Sequence, residues 1–296
     1  MSDNLVIIGA GRMGLALGAA LHQAGVVEHI TYHGRSLEPP PHPIFDSAVP
    51  DAPEEAVASY RMGPLPPLPD TNILILAVPD SAVVEVAWET AQMGQAPPGC
   101  VVFHLSGVLS TDVLAPLHSA GYATGSLHPL MTVADPWQAC DRLFGASFAA
   151  AGEPAALRTA QRLVDRLGGR TLLIPPALRP VYHAAAVTAS NHLVALLAQA
   201  LRLLEDAGVS ADEAPAALLP LARATLDNIE HLGVAGALTG PIARGDADTV
   251  RLHLARLSPD DRELYCALGT ETLRIARAAG LDEGRATAIE SLLATG

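Results

Sequence analysis

The feature that most restricts the fold of this chain is the turn Gly9-Ala10-Gly11-Arg12-Met13-Gly14. It follows the apolar run LVII at residues 5–8 and precedes residues 15–24, whose apolar side chains have helical spacing. A strand, a glycine turn and a helix in this order hold a pyrophosphate, because the glycines permit a tight turn, close backbone approach and close helix packing. We therefore predict that Gly9, Gly11, Arg12, Met13 and Gly14 bind a dinucleotide. The alternative is a tight turn without a ligand.

The next predicted strand, residues 29–33, ends at Gly34-Arg35-Ser36. Enzymes that use NAD usually carry Asp or Glu about 20 residues after the glycine turn, where it binds the ribose 2′-hydroxyl. This chain instead offers Arg35 and Ser36, a cation and a hydroxyl that suit a 2′-phosphate, and Arg12 can add further charge. The sequence therefore favours NADP(H). The alternative is that Arg35 is a solvated loop residue.

Strands and helices alternate through the first part of the sequence. Further strands are predicted at residues 72–78, 101–104, 122–127, 147–151 and 171–174, and helices at 15–24, 81–92, 111–120 and 154–167. Frequent prolines predict loops or edge connections at Glu38–Pro50 and Gly63–Asp70, with only a weak signal around residues 54–60 between them. The fold class that follows is α/β, with a doubly wound parallel sheet.

The pattern changes at Pro180. Helical spacing then continues without a strand signal through residues 181–206, 211–232, 246–257, 260–279 and 282–294. We predict two domains, a nucleotide-binding domain at 1–177 and an all-helical C-terminal domain at 178–296.

Composition excludes several classes of function. The net charge of −13 argues against a nucleic-acid surface, which needs clustered positive charge. All 18 basic residues are arginine, so lysine Schiff-base chemistry is excluded and any general acid is His, Tyr, Asp, Glu or water. The three scattered cysteines predict no metal site and a reducing compartment. No basic leader is seen, and Pro79-Asp80 interrupts the best apolar run, so we expect a cytoplasmic protein without a membrane span.

Polar residues follow the predicted strands at their carboxyl ends, where ligands of such sheets bind. Val78, Pro79 and Ser106 are predicted to contact the cofactor. His128 ends a buried strand and can hydrogen-bond a substrate carbonyl or donate a proton, although it could equally cap the loop. His104, within its strand, is interpreted as a core histidine.

The long helix carries a second set of polar residues. With 100° per residue, His183, Val187 and Ser190 share one stripe and Asn191 flanks it. His183 and Asn191 are about 12 Å apart along the axis, so they could hold opposite ends of a small substrate. The alternative is that these groups form hydrogen bonds between helices, for example at a dimer contact.

The third set lies in the helix break Leu238-Thr239-Gly240-Pro241, which continues to Arg244 and Asp246. Asp246 can cap the next helix. Thr239 and Arg244 are candidate substrate-binding residues, because an arginine fork suits a carboxylate. The alternative for Arg244 is an ion pair with Asp246 or Asp248.

Taken in order, the glycine turn, HLSG (104–107), SLHPL (126–130), YHAAAVTASN (182–191) and ALTGPIARGD (237–246) resemble the Rossmann-like proteins that carry a DUF2520 helical domain. That group is similar to the superfamily of 6-phosphogluconate, pyrroline-5-carboxylate, prephenate and ketopantoate dehydrogenases or reductases. The resemblance implies a Rossmann-type sheet, an oxidoreductase dependent on NADP or F420, and a homodimer formed through the helical domain.

Ketopantoate reductases show Lys-x3-Asn-x3-Asn on the long helix. Here His183 takes the lysine position, Val187 the first asparagine and Asn191 the second, which makes His183 a candidate replacement acid. The SLHPL segment is closer to prephenate dehydrogenases, whose histidine in this motif meets the substrate. We expect NADP(H)-dependent hydride transfer to or from a small 2-oxo or 2-hydroxy carboxylate, with ketopantoate as the first candidate. Alternatives are reduction of an imine, a prephenate-type reaction, or a non-enzymatic NADP(H) sensor.

Overall fold

The computed structural model describes residues 3–45, 57–62 and 70–294. Its strands are β1 (Leu5–Ile8), β2 (Ile30–Gly34), β3 (Ala58–Met62), β4 (Ile73–Leu76), β5 (Val101–His104), β6 (Ala123–Pro129), β7 (Ser147–Gly152) and β8 (Arg170–Leu173). Within those residues they form one sheet in the order β3-β2-β1-β4-β5-β6-β7-β8. The helices between them are α1 (Arg12–Gln23), α2 (Val83–Gln92), α3 (Ala115–Ser119), α4 (Pro136–Leu143) and α5 (Pro154–Arg166).

The sheet confirms the predicted fold class, with one correction. Strands β1 to β6 run parallel to one another, but β7 runs antiparallel to β6, so that His128 lies opposite Ala149. The sheet is therefore mostly rather than wholly parallel. The carboxyl ends of β1, β2, β4, β5 and β6 still meet at one edge, where the candidate residues of the sheet lie: the glycine turn, Arg35, Ser36, Val78, Pro79, Ser106 and His128.

Both faces of the sheet are buried, which explains why its central strands are continuous apolar runs. Alternate residues of β1 enter different cores: Ile7 packs with Leu17 and Leu21 of α1, whereas Val6 packs with Val83 and Ala87 of α2. The side chain of Tyr32 from β2 is also fully buried in the first core, and its hydroxyl donates to the Gly14 carbonyl at 3.2 Å.

Before β8, one strand and one α-helix were not predicted. Strand β3 lies between the two predicted proline-rich loops, and residues 46–56 and 63–69 of this region fall outside the described residues. Helix α4 follows Asp135, whose side chain accepts the Trp137 N–H at 2.9 Å and caps it. Both are short. Only Ala58 of β3 is buried, so this strand shows no alternation of apolar and polar residues.

The chain divides into two compact units, Met1–Ser190 and Asn191–Gly296. The first includes α6 (Arg179–Val187), and the second contains α7 (Leu193–Asp206), α8 (Ala214–Ala237), α9 (Pro241–Arg244), α10 (Ala247–Leu254), α11 (Pro259–Ala278) and α12 (Glu283–Leu293). The described part of the second unit is all-helical, as predicted. The proposed domain boundary after residue 177 stays a prediction.

Two of these helices are irregular. A π-helical turn, Thr188–His192, joins α6 to α7. His183 and Val187 lie within the regular part of α6, but the uniform step of 100° does not extend through the π-helical turn to Ser190. Helix α8 extends beyond the predicted end because it continues across a kink at Gly233, whose φ is 71°.

The expectation that no segment is long and apolar enough to span a membrane is corrected by the run Pro176–Asp206. Its 31 residues are long and apolar enough to cross a membrane, judged by length and composition only. Its most apolar 18-residue window has a mean hydropathy of 1.4, and 6% of that window is buried. The polar residues of the π-helical turn interrupt this run, but its mean hydropathy stays high enough to make it a candidate.

The cysteines are free thiols. Cys100 and Cys266 are buried, and Cys140 is half-buried. Burial raises the pKa of Cys100 to about 12 and that of Cys140 to about 11.

Candidate active site

The glycine turn has the geometry that a pyrophosphate requires. Gly9 has φ of 109°, which favours glycine, and the positions that Cβ atoms would take at Gly9 and Gly14 are filled by the backbone of Ala77 and of Gly9. Gly11, in contrast, faces open space and precedes α1 with no side-chain cap and no acidic residue in the first turn. The first N–H groups of α1 are therefore available to an anion. Arg12 is exposed and Met13 half-buried beside them.

The loop after β2 presents Arg35 and Ser36, both exposed. Tyr60 of β3 holds this loop, because its hydroxyl donates to the Ser36 carbonyl at 3.0 Å while its ring packs against Gly34. The loop thus places a cation and a hydroxyl at the end of the second strand, where enzymes of this fold bind a 2′-phosphate.

Val78 and Pro79 follow β4, and the 3₁₀ turn Asp80–Ala82 comes next. Asp80 accepts a 2.8 Å hydrogen bond from the Ser106 hydroxyl, whose oxygen also accepts the N–H groups of Val108 (3.2 Å) and Leu109 (3.1 Å). These bonds use the hydroxyl hydrogen and both acceptor positions of Ser106. The side chain of Ser106 thus shapes the loop after β5, and contact between Ser106 and a cofactor stays a prediction.

Two histidines converge on this loop. A Cβ at Gly107 would lie 2.5 Å from Nδ1 of His183 and 3.0 Å from Nε2 of His128. The two imidazole rings are 5.9 Å apart, nearly perpendicular, and Nδ1 of His183 is buried with no hydrogen-bond partner among the described residues. The missing side chain of Gly107 is what lets both rings reach the same point, so two candidates from distant parts of the sequence form one cluster.

Arg179, at the start of α6, lies beneath this cluster and is fully buried. It donates to the Ser126 hydroxyl at 2.9 Å and to the Ser106 carbonyl at 2.5 Å. Both partners are uncharged, so the guanidinium adds a buried positive charge beside the histidines. It also ties α6 to the ends of β5 and β6.

Burial lowers the pKa of His128 to about 4; the charges of His183 and Arg179 act in the same direction, and Asp80 opposes them. The pKa of His104 is also lowered to about 4, mainly by burial and then by Arg179. His104 accepts the Ser106 N–H at 3.2 Å and is fully buried, as expected of a core histidine. Near neutral pH both rings are therefore uncharged, and neutral His128 can donate from one nitrogen while it accepts at the other.

The remaining candidates lie at or beyond the π-helical turn. Ser190 and Asn191 are within that turn, Ser190 half-buried and Asn191 exposed. Thr239 lines a cavity of about 380 Å³ in the helical unit, together with residues that include Gln199, His253 and Tyr265. Arg244 is exposed and does not line this cavity. Their roles in substrate binding stay predictions.

The structure answers one alternative for Arg244. Asp246 caps α10, as predicted, by accepting the Thr249 N–H at 3.1 Å, and Asp248 pairs with Arg251 at 2.5 Å. Arg244 only helps to lower the pKa of Asp246, after the bonds from Thr249. Neither carboxylate therefore forms a close ion pair with Arg244.

Arg179 and Gly107 are the site residues that sequence reasoning missed. Arg179 precedes a proline at a predicted helix start, where an arginine is usually solvated, and nothing local signals its burial. Gly107 was visible in HLSG, but the sequence could not show which side chains meet there. The signal that the sequence offered for Gly107 was its position next to Ser106, in the loop that follows the predicted strand 101–104.

Two family models match the chain. Residues 3–129 match the Rossmann-like domain, and residues 146–272 match the domain of unknown function DUF2520. The chain combines a Rossmann-like domain with a DUF2520 domain. The site described above draws on both matched segments, since His128 lies in the first and His183 in the second. A search of curated protein sequences finds no significant relative.

Solved structures share the fold of the whole chain. Protein TM1727 from Thermotoga maritima is 22% identical, with a TM-score of 0.68 over 93% of this chain and 98% of that one. A pyrroline carboxylate reductase from Plasmodium falciparum with NADP bound is 11% identical (TM-score 0.58; 98% of each chain). A reductive aminase from Aspergillus terreus in complex with NADPH and ethyl-5-oxohexanoate is 16% identical (TM-score 0.55; 100% and 93%). The fold is therefore one that NAD(P)-dependent oxidoreductases use.

Proposed function

We propose that this Rossmann-like/DUF2520 protein is an NADP(H)-dependent oxidoreductase that transfers hydride to or from a small 2-oxo or 2-hydroxy carboxylate, with ketopantoate as the first substrate to test. The observation that carries the proposal is the meeting of His128 and His183 at Gly107. This point lies at the carboxyl edge of a sheet whose first turn suits a dinucleotide.

The proposed cofactor is NADP(H), held by the turn Gly9–Gly14 and by Val78 and Pro79, with Arg35 and Ser36 on the 2′-phosphate. The open approach at Gly11 and the exposed Arg35 support this choice. When bound, the reduced nicotinamide supplies the hydride, while the protein supplies position and charge. Several solved structures of the same fold contain NADP or NADPH, as their names state.

The protein's own part is to place the carbonyl and to move a proton. We propose that His128 or His183 protonates the carbonyl oxygen, because a chain without lysine has to use another acid. Asn191 and Ser190 are proposed to orient the substrate, and Thr239 and Arg244 to hold its carboxylate.

We further propose that the protein is a cytoplasmic homodimer. Its free thiols suit a reducing compartment. Along α8 large apolar side chains are exposed in the single chain, which supports a subunit contact: Leu219, Leu221, Leu226, Ile229, Leu232 and Val234.

The test is NADPH consumption in a screen of 2-oxo acids, with ketopantoate first, followed by His128→Ala and His183→Ala. We expect each variant to bind NADPH like the parent, and at least one to lose about 100-fold or more in turnover. Unchanged turnover in both variants would contradict histidine-assisted catalysis.

The same assay separates the alternatives. Cyclic imines and ketone–amine mixtures form a second panel, since a pyrroline carboxylate reductase and a reductive aminase share the fold. Turnover only in that panel would replace the 2-oxo acid proposal. Tight NADPH binding without turnover in either panel would favour a sensor.

A further inference from the structure

We propose that Tyr182 is a positioning residue: its hydroxyl holds His128 in the tautomer that carries hydrogen on Nε2, and it returns a proton to His128 during reduction. The inference rests on the proposed function for the second part only. The first part concerns a hydrogen bond of 2.8 Å between the Tyr182 hydroxyl and Nδ1 of His128.

We assign the Tyr182 hydroxyl as the donor of this bond, a direction that the chemistry of both partners allows. Burial raises the pKa of Tyr182, so its phenol is protonated at neutral pH and can donate. The low pKa of His128 leaves its ring neutral, with one nitrogen bearing hydrogen and the other accepting. If the Tyr182 O–H donates to Nδ1, the hydrogen of the His128 ring must be on Nε2.

Nε2 is the nitrogen that faces the cluster. It is 3.0 Å from the point where a Gly107 side chain would begin, and Nδ1 of His183 is 2.5 Å from the same point. Tyr182 and His183 are neighbours in α6, so one helix sets both histidine environments. A bond donated by Tyr182 thus leaves an N–H donor of His128 on the side of the ring that faces Gly107 and His183.

The proton movement balances. The reduced cofactor, when bound, would supply the hydride for the new substrate C–H bond, losing its own C–H bond as the carbonyl π pair moves to oxygen. On the protein side the His128 Nε2–H bond breaks and a substrate O–H bond forms. At the same time the Tyr182 O–H bond breaks and an Nδ1–H bond forms, which leaves His128 neutral. Burial disfavours the resulting phenolate, the nearby charge of Arg179 partly offsets this effect, and solvent later reprotonates the phenolate.

Four other titratable groups influence this pair. His183 faces His128 from α6, Arg179 lies beneath both, and Asp80 and His104 act on the cluster from the ends of β4 and β5. Tyr182→Phe leaves all four in place and keeps the perpendicular ring contact with His128 at 5.7 Å. It therefore removes the hydroxyl alone.

The first experiment measures the tautomer by ¹⁵N NMR of histidine-labelled protein, with His128 assigned by its loss in His128→Asn. We expect hydrogen on Nε2 in the parent and a mixture of tautomers in Tyr182→Phe. Tyr265→Phe is the matched control, because it removes a similar 2.9 Å bond to Nδ1 of His253 and should leave the His128 signals unmoved. Hydrogen on Nδ1 of His128 in the parent would overturn the proposal, whether or not the protein is a reductase.

The second experiment uses the substrate found in the screen. For Tyr182→Phe we expect kcat to fall about 10- to 100-fold with KM nearly unchanged. In the parent, two protons in motion should make the plot of kcat against the fraction of D₂O curved. In Tyr182→Phe, with one proton in motion, we expect this plot to be linear. The same curved plot and the same kcat in Tyr182→Phe would overturn the relay. If the screen finds no substrate, the proposed function fails, while the NMR result still decides whether Tyr182 holds the tautomer.

Discussion

At the scale of single residues, Gly107 controls how closely His128 and His183 approach the edge of the sheet. Its backbone is not in the left-handed region, so alanine fits the local conformation. The Cβ of an alanine would, however, lie too close to two ring nitrogens, 2.5 Å from Nδ1 of His183 and 3.0 Å from Nε2 of His128. The side chain at this position therefore decides whether the two rings meet.

We expect Gly107→Ala to lower turnover at least 10-fold, because the new methyl group pushes the His128 and His183 rings away from the positions proposed for catalysis. The free energy of unfolding should fall by about 1–3 kcal/mol as the rings shift. Steady-state kinetics and urea unfolding measure the two effects. Gly284→Ala is the control, since its Cβ would meet only the Asp282 carboxylate, at 3.2 Å. Full turnover in Gly107→Ala would mean that the reaction occurs elsewhere.

The buried histidines also make stability depend on pH. In the unfolded chain a histidine titrates near 6.5, whereas His104 and His128 titrate near 4 in the folded protein. Between these values the unfolded state binds more protons, so the free energy of unfolding is highest above pH 6.5 and falls as the pH drops toward 4. The expected loss is about 3 kcal/mol for each ring.

Urea unfolding at pH 7, 6, 5 and 4 measures this loss. His104→Gln should remove part of the acid sensitivity, because the amide does not titrate in this range. A free energy of unfolding that stays constant from pH 7 to 5 would contradict the low pKa values.

At the scale of elements, the edge pair β2 and β3 is expected to select the cofactor. Arg35→Ala should weaken NADPH binding about 10-fold or more while NADH binding stays unchanged, because only NADPH has the 2′-phosphate. Tyr60→Phe should have a smaller effect in the same direction, since the loop loses its 3.0 Å bond. Fluorescence titration of the apo-protein with both cofactors measures this, and tighter NADH binding in the parent would refute the role of Arg35.

Elements differed in how well the sequence predicted them. Strands β1 and β5 match their predicted bounds because each is a buried apolar run between turn residues. The weak signal before Tyr60 could not predict β3, whose pairing with β2 creates the proposed cofactor loop. The π-helical turn at Thr188–His192 depends on packing and hydrogen bonding that no periodicity reports.

The candidate site, like the secondary structure, was only partly predictable from the sequence. The residue types and positions of His128 and His183 marked them as candidates, and the sheet edge explains why they lie together. The bond from Tyr182 and the buried charge of Arg179 were not predictable, because both depend on how α6 packs against the ends of β5 and β6.

At the scale of the whole molecule, the exposed apolar side chains of α8 support the proposed contact with a second copy of the chain. If its exposed apolar side chains bind a second copy, the melting temperature should rise with protein concentration by mass action. Ile229→Glu should give a monomer of 30.6 kDa in light scattering, whereas the exposed Leu252→Glu on α10 serves as the control and should remain dimeric. A parent protein that is monomeric at micromolar concentration would contradict the homodimer.

The burial of the thiols has a practical consequence for labelling. Maleimides react with thiolates, and the raised pKa values of Cys100 and Cys140 leave few thiolates at neutral pH, while Cys266 is buried. The chain also lacks lysine, so amine reagents find no side-chain target. A cysteine introduced at the exposed Ser36 should therefore take up a fluorophore ahead of the native thiols and report optically when a nucleotide reaches the loop.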